Sequence, residues 1–286
     1  MKLVKYIVPV LLGGMLTLQS CEHFLDTKPT ETYSEELVWG TRSTADAFVL
    51  RTYPNILSLY HQFWEDDQIT LNTILRQSCP GEARDLINRE HDFGFDKFSL
   101  IRRCNLIIEQ ASASAGLSEK DKKELVAEGK MLRAMIYYYQ AKHCGRVIWV
   151  DRTLQVDDEF NLPLTESIDK TYDLILNDLD EAIAGLPETY PAGRANANAA
   201  RALKSEVCLT AAAYSTDAAR KKKLWEQAVV AVDAIRGYSL DANYGGMFNQ
   251  ENPYSSSEII LARYFSKENT NGGDTYMQMV IPNQGN

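Results

Sequence analysis

Leu125–Pro187 reads LVAEGKMLRAMIYYYQAKHCGRVIWVDRTLQVDDEFNLPLTESIDKTYDLILNDLDEAIAGLP, two helical patterns joined by a loop. In the first pattern Leu125, Leu132, Ile136 and Tyr139 recur at helical steps, and Met131, Met135 and Tyr138 widen the stripe. In the second, Tyr172, Ile175, Leu179, Ala182 or Ile183, and Leu186 recur every three or four residues. Apolar side chains at that spacing share one face of a 3.6-residue helix, and that face must be buried against a neighbour. The stretch therefore predicts a helical hairpin.

The second helix carries a finer signal. Tyr172, Ile175, Leu179, Ala182 and Pro187 fit the spacing Y-x2-A-x3-F-x2-A-x4-P of the second helix in a tetratricopeptide repeat, with Ile175 and Leu179 as substitutes. Small positions let two helices approach, and the proline stops the second one. The spacing recurs at Trp225, Ala228, Val232 and Ile235, too far downstream for a regular array. A helix between them opens at Asn196, carries Leu203, Val207 and Tyr214 on one face, and is rich in alanine. Upstream, Phe98, Ile101, Asn105 and Ile108 share a face in a helix running to about Ala113, and Ser118-x-x-Asp121 resembles a capping box. Near the N-terminus, a short helix from about Ser43 or Thr44 is expected to turn Ala47, Phe48, Leu50 and Leu57 inward and to bend or end at Pro54. The fold class expected is mainly α: irregular tetratricopeptide-like pairs in an α-α superhelix, with long loop insertions and little sheet.

The 286 residues carry a net charge of −9. That balance argues against a nucleic-acid surface, which needs clustered Lys and Arg facing phosphates. Residues 1–20 read as a secretory signal: Lys2 and Lys5, an apolar run from Tyr6 to Leu18, then Leu18-Gln19-Ser20-Cys21. An aliphatic residue followed by a small one before Cys looks like a bacterial lipoprotein processing site. There Cys21 receives the diacylglycerol and becomes the first residue of the mature chain. Acyl chains hold a protein on a membrane surface without spanning it. Residues 21–42 read as an N-terminal tether and 43–286 as the helical-repeat domain. Cys79, Cys104, Cys144 and Cys208 lack C-x-x-C or zinc-finger spacing, and thiols buried on helices fit them better than a disulfide framework.

The least regular stretch runs from His61 to Gly94, and the candidate ligand surface is the loop from Trp64 to Phe95. It concentrates Trp64, Phe93 and Phe95 with Asp66, Asp67 and Arg76. Flat rings stack on the apolar C–H face of a pyranose, and Asp or Asn side chains take its hydroxyls. The competing reading places Trp64 and Phe63 over the core. Asp157-Asp158-Glu159 reads as a solvated loop, because the D-x-D-x-D-G order of a calcium loop is missing. No metal and no cofactor is expected.

These pieces together resemble the SusD/RagB family of outer-membrane nutrient-binding lipoproteins of Bacteroidetes. The resemblance runs from Cys21 and Phe24-Leu25-Asp26-Thr27-Lys28-Pro29-Thr30 through Ile101-Arg102-Arg103-Cys104-Asn105. It continues in Ala127-Glu128-Gly129-Lys130-Met131-Leu132-Arg133-Ala134, Pro163-Leu164, Tyr172 to Pro187, Gly193-Arg194-Ala195-Asn196 and the segment Ser257 to Ala262, similar to a family strand. After Gly145 the family has Gly-Val-Pro where this chain has Arg146-Val147-Ile148. Family members run longer, so the chain is expected to hold the N-terminal repeat-bearing part and to lack the usual C-terminal half.

The resemblance implies a binding protein on the cell outer membrane, anchored by lipid and exposed to the outside. It implies a SusC-like TonB-dependent transporter as partner and an oligosaccharide or another nutrient, such as a peptide, as ligand. A helical-repeat scaffold that binds only protein is the alternative. Against an enzyme, the sequence has no G-x-S-x-G, H-E-x-x-H, G-x-G-x-x-G or phosphate loop, and its four histidines are scattered.

Overall fold

Side-chain caps set where most of the helices begin. The computed structural model describes residues 35–61, 96–249 and 256–264. The chain divides into two units, 1–38 and 39–286, and within the first the one-turn helix α1 (Glu35–Val38) is described. The second unit holds α2 (Arg42–Leu50), α3 (Tyr53–Leu57), α4 (Phe98–Ala113), α5 (Glu119–Cys144), α6 (Ile168–Gly185), α7 (Ala197–Tyr214), α8 (Ala218–Asp233) and the short α9 (Gly246–Asn249). Thr41, Ser118, Ser167, Asn196 and Asp217 cap α2, α5, α6, α7 and α8, each accepting a hydrogen bond from a first-turn N–H. Ser118 also donates to Asp121 Oδ2 at 2.6 Å, so the carboxylate expected from the capping box holds the cap hydroxyl. Among the described residues there is no strand, and Val147–Val150 and Ser257–Ala262 run as coil.

Successive helices from α4 to α8 pack on one another in chain order, which is the packing of repeated helical hairpins. α5 is buried over most of its second half, with Leu125, Leu132, Ile136, Met131, Met135 and Tyr138 all inside. α6 buries Tyr172, Ile175, Leu179 and Ala182, the face expected from its periodicity. In α4 the buried face is Ile101, Cys104, Asn105, Ile107 and Ala111, so Ile107 takes the place expected of Ile108.

The other three faces differ from expectation. α2 buries Ala45 and Val49 while Ala47 and Leu50 are exposed, and Pro54 opens α3 in its first turn instead of ending α2. A proline lacks the N–H that a first-turn residue would leave unused. α7 buries Ala197, Ala200, Val207, Cys208 and Ala211, with Tyr214 half exposed. Contact runs through the alanines because small side chains let α6 and α8 close in on both sides. α8 buries Leu224, Ala228 and Ala231, and Trp225 and Val232 face outward. Of the repeat positions expected there, Ala228 is core.

Two glycines are required by backbone contact. A Cβ on Gly185 would lie 2.5 Å from the Ala127 Cβ, and one on Gly129 would lie 2.9 Å from Ile108 Cγ1. Bare backbone at these positions lets α5 meet α6 and α4 closely. Gly145 ends α5 at φ 73°, a left-handed conformation that side chains disfavour.

Candidate functional site

The segment that leaves α5 at Gly145 is clamped along one side by α4 and α5. Asn105 donates through Nδ2 to Val150 O at 3.0 Å and Arg152 O at 2.8 Å. Val150 N donates to the Tyr137 hydroxyl at 2.6 Å, and the Tyr137 ring stacks on Trp149 at 4.2 Å. Thr153 N donates to Glu109 Oε1 at 2.7 Å. Beneath these contacts Arg133 bridges three elements. It donates to both Asp178 oxygens at 2.7 Å, to Asn105 Oδ1 at 2.8 Å and to Asp151 O at 3.1 Å. Burial pushes the Asp178 carboxyl upward and the two Arg133 hydrogen bonds oppose that shift; the same bonds raise Arg133 against its own burial. A buried pair with this many hydrogen bonds fixes geometry more than it adds net stability.

Held this way, the segment and the first turns of α4 enclose a cavity of about 360 Å3. Its walls are apolar: Ile101, Ile148, Val150, Leu154 and Leu162, with Phe98 and Phe160 as the rings. Its two arginines are engaged. Arg102 donates to Leu154 O at 2.5 Å, and Arg152 pairs with both Asp158 oxygens at 2.7 and 2.8 Å. The Arg152 guanidinium, helped by the Gln155 N–H, holds the Asp158 carboxyl down at about 2. Asp158 thus serves a loop salt bridge, and among the described residues no group of three His, Cys, Asp or Glu is arranged to hold a metal.

A second polar cluster ties α2, α3 and α5 to the loop before α7. Arg194 donates to both Glu128 oxygens at 2.8 and 2.7 Å and to Asp46 Oδ1 at 2.6 Å. Tyr53 donates to Glu128 and accepts from Ala195 N at 3.0 Å. Arg42 joins Asp46, Asp121 and Glu124 at 2.9, 2.7 and 2.8 Å. Burial, then the Glu128 charge, pushes the Tyr53 hydroxyl well above its ordinary range, so it remains a donor. Gly193 makes the turn into this cluster at φ 83°, and a Cβ there would lie 3.1 Å from the Tyr264 ring.

No protein-family model matches the chain. It is 24% identical, over 94% of its length, to SusD-like protein P25 of Formosa agariphila, of which it covers 53%. A SusD-like protein from Bacteroides fragilis NCTC 9343 superposes with a TM-score of 0.52 at 31% identity, covering 62% of this chain and 34% of that one. In sequence and in fold the chain is similar to SusD-like proteins. A laminarin-binding SusD-like protein is 25% identical with a TM-score of 0.50, over 59% of this chain and 36% of that one. The chain spans about a third to a half of the length of the curated relatives it matches.

The polar residues quoted for the resemblance turn out to be the two clusters. Asn105 and Arg133 clamp the loop after α5, and Glu128 and Arg194 anchor the loop before α7. Periodicity could place Asn105 inside but could not name its partners, which lie 45 and 47 residues away in sequence. Asp178 carried no sequence signal beyond an acid among the inward positions of α6. Of the residues expected to bind ligand, Trp64, Asp66, Asp67, Arg76, Phe93 and Phe95 lie outside the described residues, as does the lipid-attachment residue Cys21. The cavity behind Phe98 adds Phe160, which sequence reading passed over because a lone ring in a loop carries no periodic signal. Among the described residues no helix is long and apolar enough to cross a membrane.

Proposed function

We propose that this chain is part of a cell-surface glycan-binding lipoprotein that binds without catalysis and hands its ligand to a SusC-like TonB-dependent transporter. The observation that carries this reading is the shared helix stack with a relative named as laminarin-binding, in a chain that opens with a lipoprotein-type signal. Cys21 is the anchor, which puts the protein on the outer face of the outer membrane. The residues assigned to the ligand are Trp64, Asp66, Asp67, Arg76, Phe93 and Phe95, on the segment that runs into Phe98 at the cavity. Rings offer stacking platforms, and the carboxylates and Arg76 accept and donate to sugar hydroxyls.

The test uses the product of the whole open reading frame, lacking residues 1–20. Depletion by insoluble glycans and titration with soluble ones, laminarin first, should show binding that Trp64→Ala or Phe93→Ala weakens without unfolding. Retained binding in Trp64→Ala, Phe93→Ala and Phe95→Ala together removes this segment from the site. A large loss of thermal stability in Trp64→Ala assigns that ring to the core. Release of shortened sugars would replace binding by hydrolysis. In cells, Cys21→Ala should lose fatty-acid labelling and leave the membrane fraction.

A further inference from the structure

The cavity between the first turns of α4 and the loop after α5 is poor in polar groups. Among the described residues its lining side chains carry a hydroxyl or a charge only at Ser99, Arg102 and Arg152. All three are exposed, so they stand at the rim, and the buried Ile101 and Val150 make an apolar floor. Phe160, 64% exposed, adds a ring at the edge. An apolar cavity of about 150 Å3 is enough to hold benzene. The 360 Å3 here accommodates a ring with a short chain. The walls are held in place before any ligand arrives: Asn105 and Tyr137 fix the loop, and the Arg152–Asp158 pair fixes its turn. An unmodified sugar suits this space poorly, because its ring hydroxyls would be buried against apolar walls without partners. The two rim arginines differ. Arg152 spends its charge on both Asp158 oxygens. Arg102 uses Nη1 alone, on Leu154 O, and has no acidic partner among the described residues. Its Nε–Nη2 edge, the one that takes a carboxylate with two parallel hydrogen bonds, is uncommitted.

We propose that this cavity binds a small apolar carboxylate, an aryl or alkyl acid whose body fills the space beside Phe98 and Phe160 and whose carboxylate docks on the Nε–Nη2 edge of Arg102. The site stands apart from glycan binding and does not depend on it. Binding covers the exposed Phe160 ring and gives Arg102 an anion, so the two groups that the fold leaves at the rim are both satisfied by one molecule.

The experiment is calorimetric titration of the product of the whole open reading frame, lacking residues 1–20, with phenylbutyrate, its neutral amide phenylbutyramide, and acetate. Losing the charge-assisted hydrogen bonds weakens binding about ten-fold or more, so phenylbutyrate should bind that much tighter than the amide. Acetate, a head without a body, should give no measurable binding. Arg102→Met should reduce phenylbutyrate to the level of the amide and leave the amide where it was. Leu162→Trp, whose indole occupies the cavity, should abolish binding of both while circular dichroism shows the helices retained. Absence of phenylbutyrate binding, or equal affinity for acid and amide, overturns the proposal. So does binding that is unchanged in both variants. Displacement of phenylbutyrate by laminarin also overturns it, because the cavity then belongs to the glycan site, whereas phenylbutyrate binding that laminarin leaves intact supports a separate one.

Discussion

Replacing Asp178 with Ala removes the carboxylate that faces Arg133 and leaves a guanidinium inside the protein. The two side chains are 3% and 5% exposed, so solvent cannot take over the lost interaction. Breaking a buried pair from one side typically costs about 3–5 kcal/mol, because the remaining charge is uncompensated. Arg133 would keep its hydrogen bonds to Asn105 Oδ1 at 2.8 Å and Asp151 O at 3.1 Å, which places the expected loss at the low end, about 3 kcal/mol. The partner variant Arg133→Met also strands Asn105 Oδ1 and should lose at least as much. Combining Arg133→Met with Asp178→Leu removes both charges and fills the space with apolar atoms. That double variant should fall within about 2 kcal/mol of the parent, far from the sum of the single losses. Urea unfolding of the chain lacking residues 1–20, followed by far-UV circular dichroism, gives all four free energies. Trp149 emission reports separately on whether the loop after α5 has come loose. A loss below about 1 kcal/mol for Asp178→Ala, the range of an exposed pair, would refute the clamp. So would a double variant as unstable as the two single losses added.

Three further outcomes follow from the same packing. Ala182 and Ala228 are buried at helix contacts, so leucine at either overpacks the site and should cost about 1–3 kcal/mol, read as a lower urea midpoint. Asp158 titrates at about 2, so its salt bridge contributes above the ordinary carboxylate range near 3.8 and is lost as pH falls through about 2. Carboxyl-resolved NMR should show that midpoint, and Arg152→Ala should return it toward 3.8. Burial pushes the thiols of Cys104 and Cys208 up to about 12 and about 11, so iodoacetamide near pH 8 should leave both unlabelled in the native chain and modify both in denaturant.

The helices were legible in the sequence because their signals are local. Ser118 and Asn196 cap the chain where they stand, and the Tyr172–Ile175–Leu179–Ala182 stripe needs a single partner face to be buried. The face of α8 was not legible, since Trp225, Ala228 and Val232 keep helical spacing whether a neighbour covers them or not. Packing on α7 chose Leu224, Ala228 and Ala231 instead, one position away in phase. The clamp was beyond the sequence for a different reason. Arg133 and Asp178 sit on two helices 45 residues apart, and a charge inside a helix reads as a solvated position until its partner is placed beside it. Tertiary structure decided that these charges lie inside, because burying them is tolerable only where each meets a hydrogen-bonded opposite.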